Sequence, residues 1–556
     1  MSEWFDPQYE PAPLLSVAQL RACETAAQAV LPPHALMARA GAAAARLLLD
    51  ELHVASGAVT ATDASKARSV WIAAGPGNNG GDALVVATYL HQAGVPVEVC
   101  MPVDVKPDDA RWALANAKAA GVSMTSAAPA SAEALDDYGW LIDGLFGIGL
   151  ARGLDGAFAT LAQAISMRAR RHGHVLALDT PSGLDSDTGN VVGNGPAVHA
   201  THTITFIAAK PGLFTASGRD YAGKVYVAPI GIDEASRNLN APNAAHLNAP
   251  ASFAFALPVR SFSTHKGTFG TLAVLGGDTG MCGAPILAAR AALYAGAGKV
   301  HIGFMGHDAP PYDALHPELM LHAADELPPV LDRSGTTGTG PASSSSAWTR
   351  SLDAIAIGCG MGTSGRARIL FERALRLAVP TLIDADALNL IAQDAALAEQ
   401  VMTHAAHAAS RAPCVLTPHP LEAARLLGAD AKTVQRDRLA AARALAARFA
   451  SVIVLKGSGT VIAAPDGQLA VNPTGNAGLA SGGSGDVLGG LIGALLAQRL
   501  PPFAAALAGV YLHGLAADTL SAEGNGPAGL TASELAPRVR QLLNQQFYQA
   551  GGILFA

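Results

Sequence analysis

Three times in this chain a short apolar run ends in a cluster of glycines, and each time the residues that follow reach helical length. VWIAA precedes GPGNNGGD, TLAVL precedes GGDTG, and AIAI precedes GCGMG. Apolar runs of four or five residues bounded by glycine read as strands buried on both faces, and helical connections force such strands to lie parallel. An α/β fold is therefore expected, with ligands beyond the carboxyl ends of the strands. The pattern predicts strands at 69–74, 95–101, 140–145, 175–179 and 203–208, then at 271–275, 299–304, 354–357, 381–384, 414–417 and 451–455. Helices are expected at 16–30, 33–52, 83–93, 284–295 and 421–427.

A chain of 556 residues exceeds one ordinary core, so two domains are expected. Residues 234–252 lose periodicity and become rich in Asn, Ala and Pro, which reads as a linker between domains at 1–240 and 250–556. Residues 334–348, SGTTGTGPASSSSAW, read as a mobile surface loop. A formal charge of -7 without a basic run argues against nucleic acid and against anionic membrane as partners. The five cysteines are scattered, with no C-x-x-C pair, which suits a reducing compartment. With no basic, apolar leader and no uninterrupted apolar 18-residue stretch, the expected location is cytoplasmic.

In the second half, strand 451–455 leads to the small-residue loop 478–485 and then to an apolar helix. Gly482, Gly483 and Gly485 leave backbone N–H groups uncovered at the helix start, where an anion such as phosphate is favoured. Asp486 beside such a site suits an enzyme in which it takes a hydroxyl proton. The competing reading makes the glycines close-packing positions and Asp486 an N-cap. Lys456, Gly457, Ser458, Gly459 and Thr460 could flank a nucleotide or form a tight turn. His419 sits between two prolines at a strand end, and Gly362 closes the glycine cluster 358–362. Asp384 and Asp386 could hold magnesium through water or cap a helix. The phosphate-loop pattern G-x-x-x-x-G-K-[ST] is absent.

In the first half, residues 75–80 satisfy G-x-G-x-x-G, and Glu98 closes the following strand, so an ordinary dinucleotide site has to be weighed. Asp82, placed in the first helical turn, would repel pyrophosphate there, while Asn78 and Asn79 suggest side-chain oxygens aimed at a ligand. Asp143 and Asp179 end parallel strands. Asn79, Asp143 and Ser182 together offer oxygen ligands for a hard cation, leaving Asp179 for acid/base work, although strand-end aspartates also serve as helix caps.

Both halves resemble known families. Residues 16–233 look like the NAD(P)H-hydrate epimerase family through GPGNNGGDA, LIDGLFGIGLARGL, ALDTPSGLDSDTG and TITFIAAKPGL. From residue 257 onward the chain resembles the ADP/ATP-dependent NAD(P)H-hydrate dehydratase family through KGTFG, LGGDTGMCGAPILAARAAL, GAGKV, LIDADALN, TPHPLEAARLLG, VLKGSGTVIA and GNAGLASGGSGDVLGGLIGALLAQ. The resemblance implies a Rossmann-like doubly wound domain followed by a ribokinase-like α/β domain. It implies that Asn78, Asn79, Gly80, Gly81 and Asp82, with Gly147, Ile148, Gly149, Leu150, Ala151, Arg152 and Gly153, contact the hydrated nucleotide. Asn79, Asp143 and Ser182 would hold K+, and Asp179 would act at the reacting end. In the second domain Ala284, Gly362, His419 and the catalytic Asp486 would face the hydrate, while Lys456 to Thr460 and Gly485 would face ADP or ATP brought with Mg2+. The substrates implied are NADHX and NADPHX, and a homo-oligomer is expected. Three departures are visible: Ala83 follows the aspartate where glycine is common, Ile148 replaces a threonine in the FGTG turn, and Cys359-Gly360-Met361-Gly362 replaces PGLG. A small-molecule kinase, a hydride-transferring oxidoreductase and a non-catalytic nucleotide-binding module remain as alternatives.

Overall fold

A computed structural model describes residues 4–7, 11–56, 69–129, 131–171, 173–233, 244–327, 348–406 and 413–548. The chain divides into two compact units, Met1–Leu247 and Asn248–Ala556.

The first unit opens with β1 (Pro13–Leu14), α1 (Val17–Gln28) and α2 (Ala35–Ser56). Ser16 and Gln19 form a capping box at α1, so the polar residues before the helix satisfy its first N–H groups. There follow β2 (Val70–Ala74), α3 (Asn78–Gln92), β3 (Val97–Cys100), α4 (Asp108–Ala119), β4 (Ser123–Thr125), β5 (Trp140–Gly144), α5 (Gly156–Arg170), β6 (His174–Leu178), β7 (His202–Phe206), β8 (Lys224–Ala228) and β9 (Ala245–Leu247). Seven strands form one parallel sheet in the order β4-β3-β2-β5-β6-β7-β8. One apolar cluster joins α1 to α4 to one face, and a second joins α5 to the other. The sheet is doubly wound, and its order reverses between β2 and β5. Ligands collect beyond such a switch point.

Helix α3 begins at Asn78, with Gly77 as N-cap, rather than at residue 83. Much of the expected loop is thus helix, and Asp82 is its fifth residue rather than part of the first turn. Half of the expected linker also has structure: residues 234–243 lie outside the described set, but β9 pairs antiparallel with β1.

The second unit contains β10 (Thr271–Gly276), α6 (Gly283–Tyr294), β11 (Lys299–Phe304), β12 (Met320–Ala323), β13 (Ala354–Ile357), α7 (Gly365–Leu375), β14 (Thr381–Ile383), α8 (Ala385–Gln393), α9 (Ala395–Ala406) and β15 (Cys414–Leu416). It continues through α10 (Pro420–Leu427), α11 (Ala431–Arg436), α12 (Arg438–Phe449), β16 (Val452–Leu455), β17 (Val461–Ala463), β18 (Leu469–Val471), α13 (Ser484–Ala497), α14 (Pro502–Ala522) and α15 (Ala532–Leu543). Within this unit the strands run β18-β17-β16-β15-β14-β13-β10-β11-β12, parallel except for the antiparallel meander β16-β17-β18. Here the switch point falls between β13 and β10, where glycines 276–277 and 358–362 lie. Helix α14 is long and apolar enough to cross a membrane, but 78% of that stretch is buried inside the fold.

The proposed loop at 334–348 lies outside the described residues up to 347. Trp348 itself is buried and stacked on His322 at 4.5 Å.

Candidate functional sites

The first site is a cavity of about 490 Å³ at the switch point of the first unit. Of the residues expected there, Asn78, Asn79, Asp82, Gly147, Ile148, Gly149 and Asp179 line it. Gly80 and Gly81 do not; a Cβ at Gly80 would sit 1.9 Å from the Gly75 carbonyl oxygen, and one at Gly81 would strike Met37 and Ala110. They are glycines because helix and strand approach each other closely there. Leu150, Ala151, Arg152 and Gly153 also lie off the cavity lining, Gly153 being packed against Val192 and Gly195.

Asp179 follows β6 with φ +68°, a conformation that costs a non-glycine residue about 1–3 kcal/mol. Its N–H donates to Ile204 O at 2.7 Å, which helps hold the turn. The carboxylate is fixed at both oxygens: Oδ1 is 2.7 Å from Lys210 Nζ, and Oδ2 accepts the Ile148 N–H at 3.2 Å. Lys210 is buried and also donates to Thr205 Oγ1 and Phe206 O. Ile148 therefore serves through its backbone. Gly147 is required as glycine, since its Cβ would lie 2.6 Å from Asp179 Oδ2.

Asp143 and Ser182 meet behind the cavity. Asp143 is fully buried and accepts from Ser182 N at 2.8 Å, Ser182 Oγ at 2.6 Å and Leu145 N at 3.2 Å. Burial pushes its carboxyl up to about 6 despite these bonds. The Asn79 side chain is buried, and neither its amide nitrogen nor its oxygen has a hydrogen-bond partner among the described residues. A buried amide without a partner costs about 1–3 kcal/mol. Its oxygen, with those of Asp143 and Ser182, matches the hard-oxygen donor set expected for a cation.

Glu24, on α1, and Lys210 were not singled out from sequence, yet both line this cavity. Lys210 had a signal, a lone lysine inside the apolar run TITFIAAKPGL; Glu24 had none. Burial raises the Asp82 carboxyl well above its usual range, with Asp179 and Glu24 adding to the effect. Glu24 is raised by burial and by Asp179, against the opposing pull of Lys210. The dinucleotide alternative loses its acid: Glu98 accepts the Tyr138 hydroxyl at 2.6 Å.

The second site lies around the start of α13. Gly483 is the N-cap, in the left-handed region at φ +87°, and Asp486 stands in the first turn rather than capping it. The glycines separate by role. A Cβ at Gly490 would lie 1.9 Å from Ala288 O, so that glycine lets α13 and α6 pack. At Gly482 a Cβ would meet nothing within 4 Å, and at Gly485 only Lys456 Nζ at 3.7 Å. Space within the chain does not require these two to be glycine, whereas close approach by a ligand would.

Lys456 Nζ is 2.7 Å from Asp384 Oδ1. Burial opposes its charge, but Asp384, Glu422 and Asp486 outweigh that and hold its pKa above the ordinary lysine value. Asp384 is also the N-cap of α8, and Asp386 accepts Gly362 N at 2.9 Å. Burial, reinforced by Asp384, raises Asp486 to about 6, with Lys456 pulling the other way. His419 caps α10: its Nδ1 accepts from Leu421 N and Glu422 N, while Glu422 Oε2 accepts from His419 N. Burial, then Lys456, lowers His419, and burial lifts Glu422 to about 7. Ala284 and Gly362 both border the glycine cluster at 358–362; a Cβ at Gly360 would lie 3.5 Å from Ala284 Cβ.

The turn at Lys456, Gly457, Ser458, Gly459 and Thr460 is braced by Arg438, which is buried and bonded to the carbonyls of Leu455, Lys456 and Gly459. Arg438 had no sequence signal. Asp518 of α14 holds Gly475 N at 2.7 Å and Asn476 Nδ2 at 2.9 Å, anchoring the approach to the glycine loop.

Two doubly wound α/β units, one with an acid/base cavity and one with an open glycine turn beside a lysine and an aspartate, define a two-site nucleotide enzyme. Family models match in the same order: "YjeF-related protein N-terminus" over residues 33–212 and "NAD(P)H-hydrate dehydratase" over 272–539. The chain is 36% identical over 530 residues to the bifunctional NAD(P)H-hydrate repair enzyme of Coxiella burnetii, covering 95% of this chain and 98% of that one. It is 35% identical to the Escherichia coli enzyme of that name, over 86% of each chain. The ADP-dependent (S)-NAD(P)H-hydrate dehydratase of Neisseria meningitidis is 45% identical over 54% of this chain and 93% of its own length. A solved ADP/ATP-dependent NAD(P)H-hydrate dehydratase from Bacillus subtilis, co-crystallised with ATP/Mg2+, shares 32% identity over 54% of this chain and 98% of its own, with a TM-score of 0.45. The chain belongs to the bifunctional NAD(P)H-hydrate repair enzyme family, with a Rossmann-like first domain and a ribokinase-like second domain.

Proposed function

We propose that the first domain, residues 1–240, interconverts the R and S epimers of NADHX and NADPHX, and that the second, residues 250–556, dehydrates the S epimer to NAD(P)H at the expense of ADP or ATP. The observation that carries this reading is the pairing of Lys456 and Asp486 around a glycine turn left open at Gly482 and Gly485.

The hydrated ring carries a hydroxyl next to its nitrogen, and hydroxide is a poor leaving group. Asp486 takes the hydroxyl proton as its oxygen attacks the terminal phosphoryl group. The N–H groups at the start of α13 hold the developing charge, while Lys456, aimed by Asp384, balances the phosphate. The ring nitrogen's lone pair then expels phosphate, and loss of a proton from the neighbouring ring carbon restores the dihydronicotinamide. His419, Ala284 and Gly362 seat the hydrate, and Lys456 to Thr460 with Gly485 seat the nucleotide. Mg2+ bound with that nucleotide would offset phosphate charge.

In the first domain Asp179 works at the reacting carbon. Asn78, Asn79, Asp82, Gly147, Ile148 and Gly149 line the substrate's place. Asn79, Asp143 and Ser182 would hold K+, which would supply a fixed positive charge beneath the site; the unpartnered Asn79 amide supports this. The five scattered cysteines, with no C-x-x-C pair, suit a cytoplasmic enzyme, and the exposed Phe255 and Phe262 suit association into a homo-oligomer.

The test is recovery of dihydronicotinamide absorbance from a mixture of both NADHX epimers with ADP or ATP and magnesium. Wild type recovers both, Asp486→Asn recovers neither, and Asp179→Asn stalls once the S epimer is spent, apart from slow spontaneous epimerisation. A stable phosphate ester in place of restored cofactor would make the second domain a small-molecule kinase.

A further inference from the structure

The epimerase cavity contains more acid/base equipment than one aspartate. Three carboxyl groups, Glu24 from α1, Asp82 from α3 and Asp179 after β6, line it together, and one buried ammonium, Lys210, is committed to Asp179 at 2.7 Å. Glu24 and Asp82 make no ion pair and no side-chain hydrogen bond among the described residues. The other charged groups on the lining are Arg21, one helical turn before Glu24, and Lys106 and Asp109 at the start of α4. Asp109 is bonded to His34 at 2.5 Å. The buried, unpartnered Asn79 amide on the same lining marks this as a place built for a polar guest. Two unpaired carboxyl groups share a cavity with a carboxylate already neutralised by its lysine. Such a set splits into one proton carrier and one proton acceptor.

We propose that Glu24 is a second catalytic residue of the epimerase site, giving a proton to the departing ring hydroxyl while Asp179 accepts one from the incoming water. This rests on the epimerase reading of the first domain. Glu24 gives its proton to the hydroxyl oxygen; the C–O bond breaks, and water leaves with the bonding electrons. The adjacent ring nitrogen's lone pair closes a C=N bond. A second water then attacks the same carbon from the Asp179 side, forming the new C–O bond as the C=N electrons return to nitrogen, and its proton passes to the Asp179 carboxylate. Glu24 ends ionised and Asp179 protonated, and proton exchange with solvent resets both. Both candidates are half-buried, but Glu24 is the better placed donor: it lies on a helix near the Asp179–Lys210 pair and feels both members, whereas Asp82 feels Asp179 without Lys210. Burial first, and then Asp179, raises its titration, which favours the protonated form that a donor needs.

The experiment follows interconversion of purified R-NADHX and S-NADHX by the full chain across pH, without ADP or ATP, comparing wild type with Glu24→Gln, Glu24→Asp and Asp82→Asn. Glu24→Gln should lower kcat by about 10²-fold or more with a small change in KM, and should remove the alkaline limb of the profile. Glu24→Asp should recover part of the rate. Asp82→Asn should keep the alkaline limb. One turnover in H2 18O should place the label in the product hydroxyl, since the oxygen is replaced. Wild-type kcat and limb in Glu24→Gln, loss of the limb in Asp82→Asn instead, or retention of the original oxygen would each overturn the proposal. Failure of the unaltered chain to interconvert the epimers would remove the epimerase reading itself. Dehydration of S-NADHX by the same preparations, with ADP added, measures the concentration of active second unit, and hydrogen exchange in the first-unit strands, matched to wild type, shows that each variant's first unit is folded.

Discussion

Lys210 Nζ lies 2.7 Å from Asp179 Oδ1, and its remaining contacts, Thr205 Oγ1 and Phe206 O, leave the buried ammonium fully engaged. Removing the lysine would strip a half-buried, cavity-lining carboxylate of its countercharge, and breaking such a pair costs up to about 3–5 kcal/mol when both members are buried. Lys210→Met should therefore lower the stability of the first unit and cut epimerisation by about 10²-fold or more. ADP-dependent dehydration of S-NADHX should continue. Chromatographic separation of the epimers over time reads the first effect, and absorbance recovery reads the second. Epimerisation at the wild-type rate would show that Asp179 does not depend on Lys210.

The second site makes a sharper contrast, between two glycines of one helix. Gly485→Ala meets only Lys456 Nζ at 3.7 Å, an ordinary contact, and alanine favours a helix over glycine by about 1 kcal/mol. The variant should fold at least as well as wild type yet bind ADP and ATP more weakly, because the methyl group occupies the ligand's approach. Gly490→Ala forces a Cβ to within 1.9 Å of Ala288 O and should destabilise by about 1–3 kcal/mol while leaving nucleotide contacts alone. Thermal unfolding and calorimetric nucleotide titration separate the two. Unchanged ADP affinity in Gly485→Ala would place the nucleotide elsewhere.

How far the sequence revealed all this depends on the range of the interaction. The α/β alternation was legible because strand and helix periodicity are local, and strands such as 299–304 and 354–357 coincide with the structure. Asp179 and Asp143 announced themselves at strand ends, where a doubly wound sheet puts its chemistry. The start of α3 was missed because two asparagines and two glycines look like loop, whereas Gly80 and Gly81 are helical residues pressed against Gly75, Met37 and Ala110. Strand β16 was expected at 451–455, but β17 and β18, which complete its meander, were missed because their three residues carry almost no period. Glu24 and Arg438 could not be found: each acts on atoms distant in sequence, Arg438 on carbonyls 17 to 21 residues away.

Glu422 sets a pH dependence for the second unit. Burial lifts its carboxyl from 4.5 to about 7, so in the folded chain it holds its proton through a range where the unfolded chain has lost it. The resulting stability is fully present below pH 4.5 and falls away as pH rises toward and through 7. Its side chain is only 6% exposed, and a loss of roughly 1–3 kcal/mol between pH 5 and 8 is expected. Glu422→Gln should flatten that slope. It should keep the cap at His419, because the glutamine carbonyl oxygen can still accept the backbone N–H that His419 donates to Glu422 Oε2 at 2.8 Å. Urea midpoints across pH for both proteins test this, and equal slopes would show that other groups set the dependence.

Asn79 allows the cation to be tested without any assay of catalysis. Its amide is buried with no partner among the described residues, a cost that a bound ion at its oxygen would offset. Potassium should then stabilise the first unit by RT ln(1 + [K+]/Kd), about 2.7 kcal/mol at a hundred times Kd. Replacing sodium by potassium at constant ionic strength should slow hydrogen exchange in peptides spanning α3 and β5, which carry Asn79 and Asp143. Asn79→Ala should lose that response while remaining close to wild type in stability when potassium is absent, because the side chain it removes was unsatisfied. The comparison with sodium separates a sized site from general screening, which treats the two ions alike. An equal response to both ions in wild type, or an undiminished potassium response in Asn79→Ala, would show that these oxygens hold no potassium.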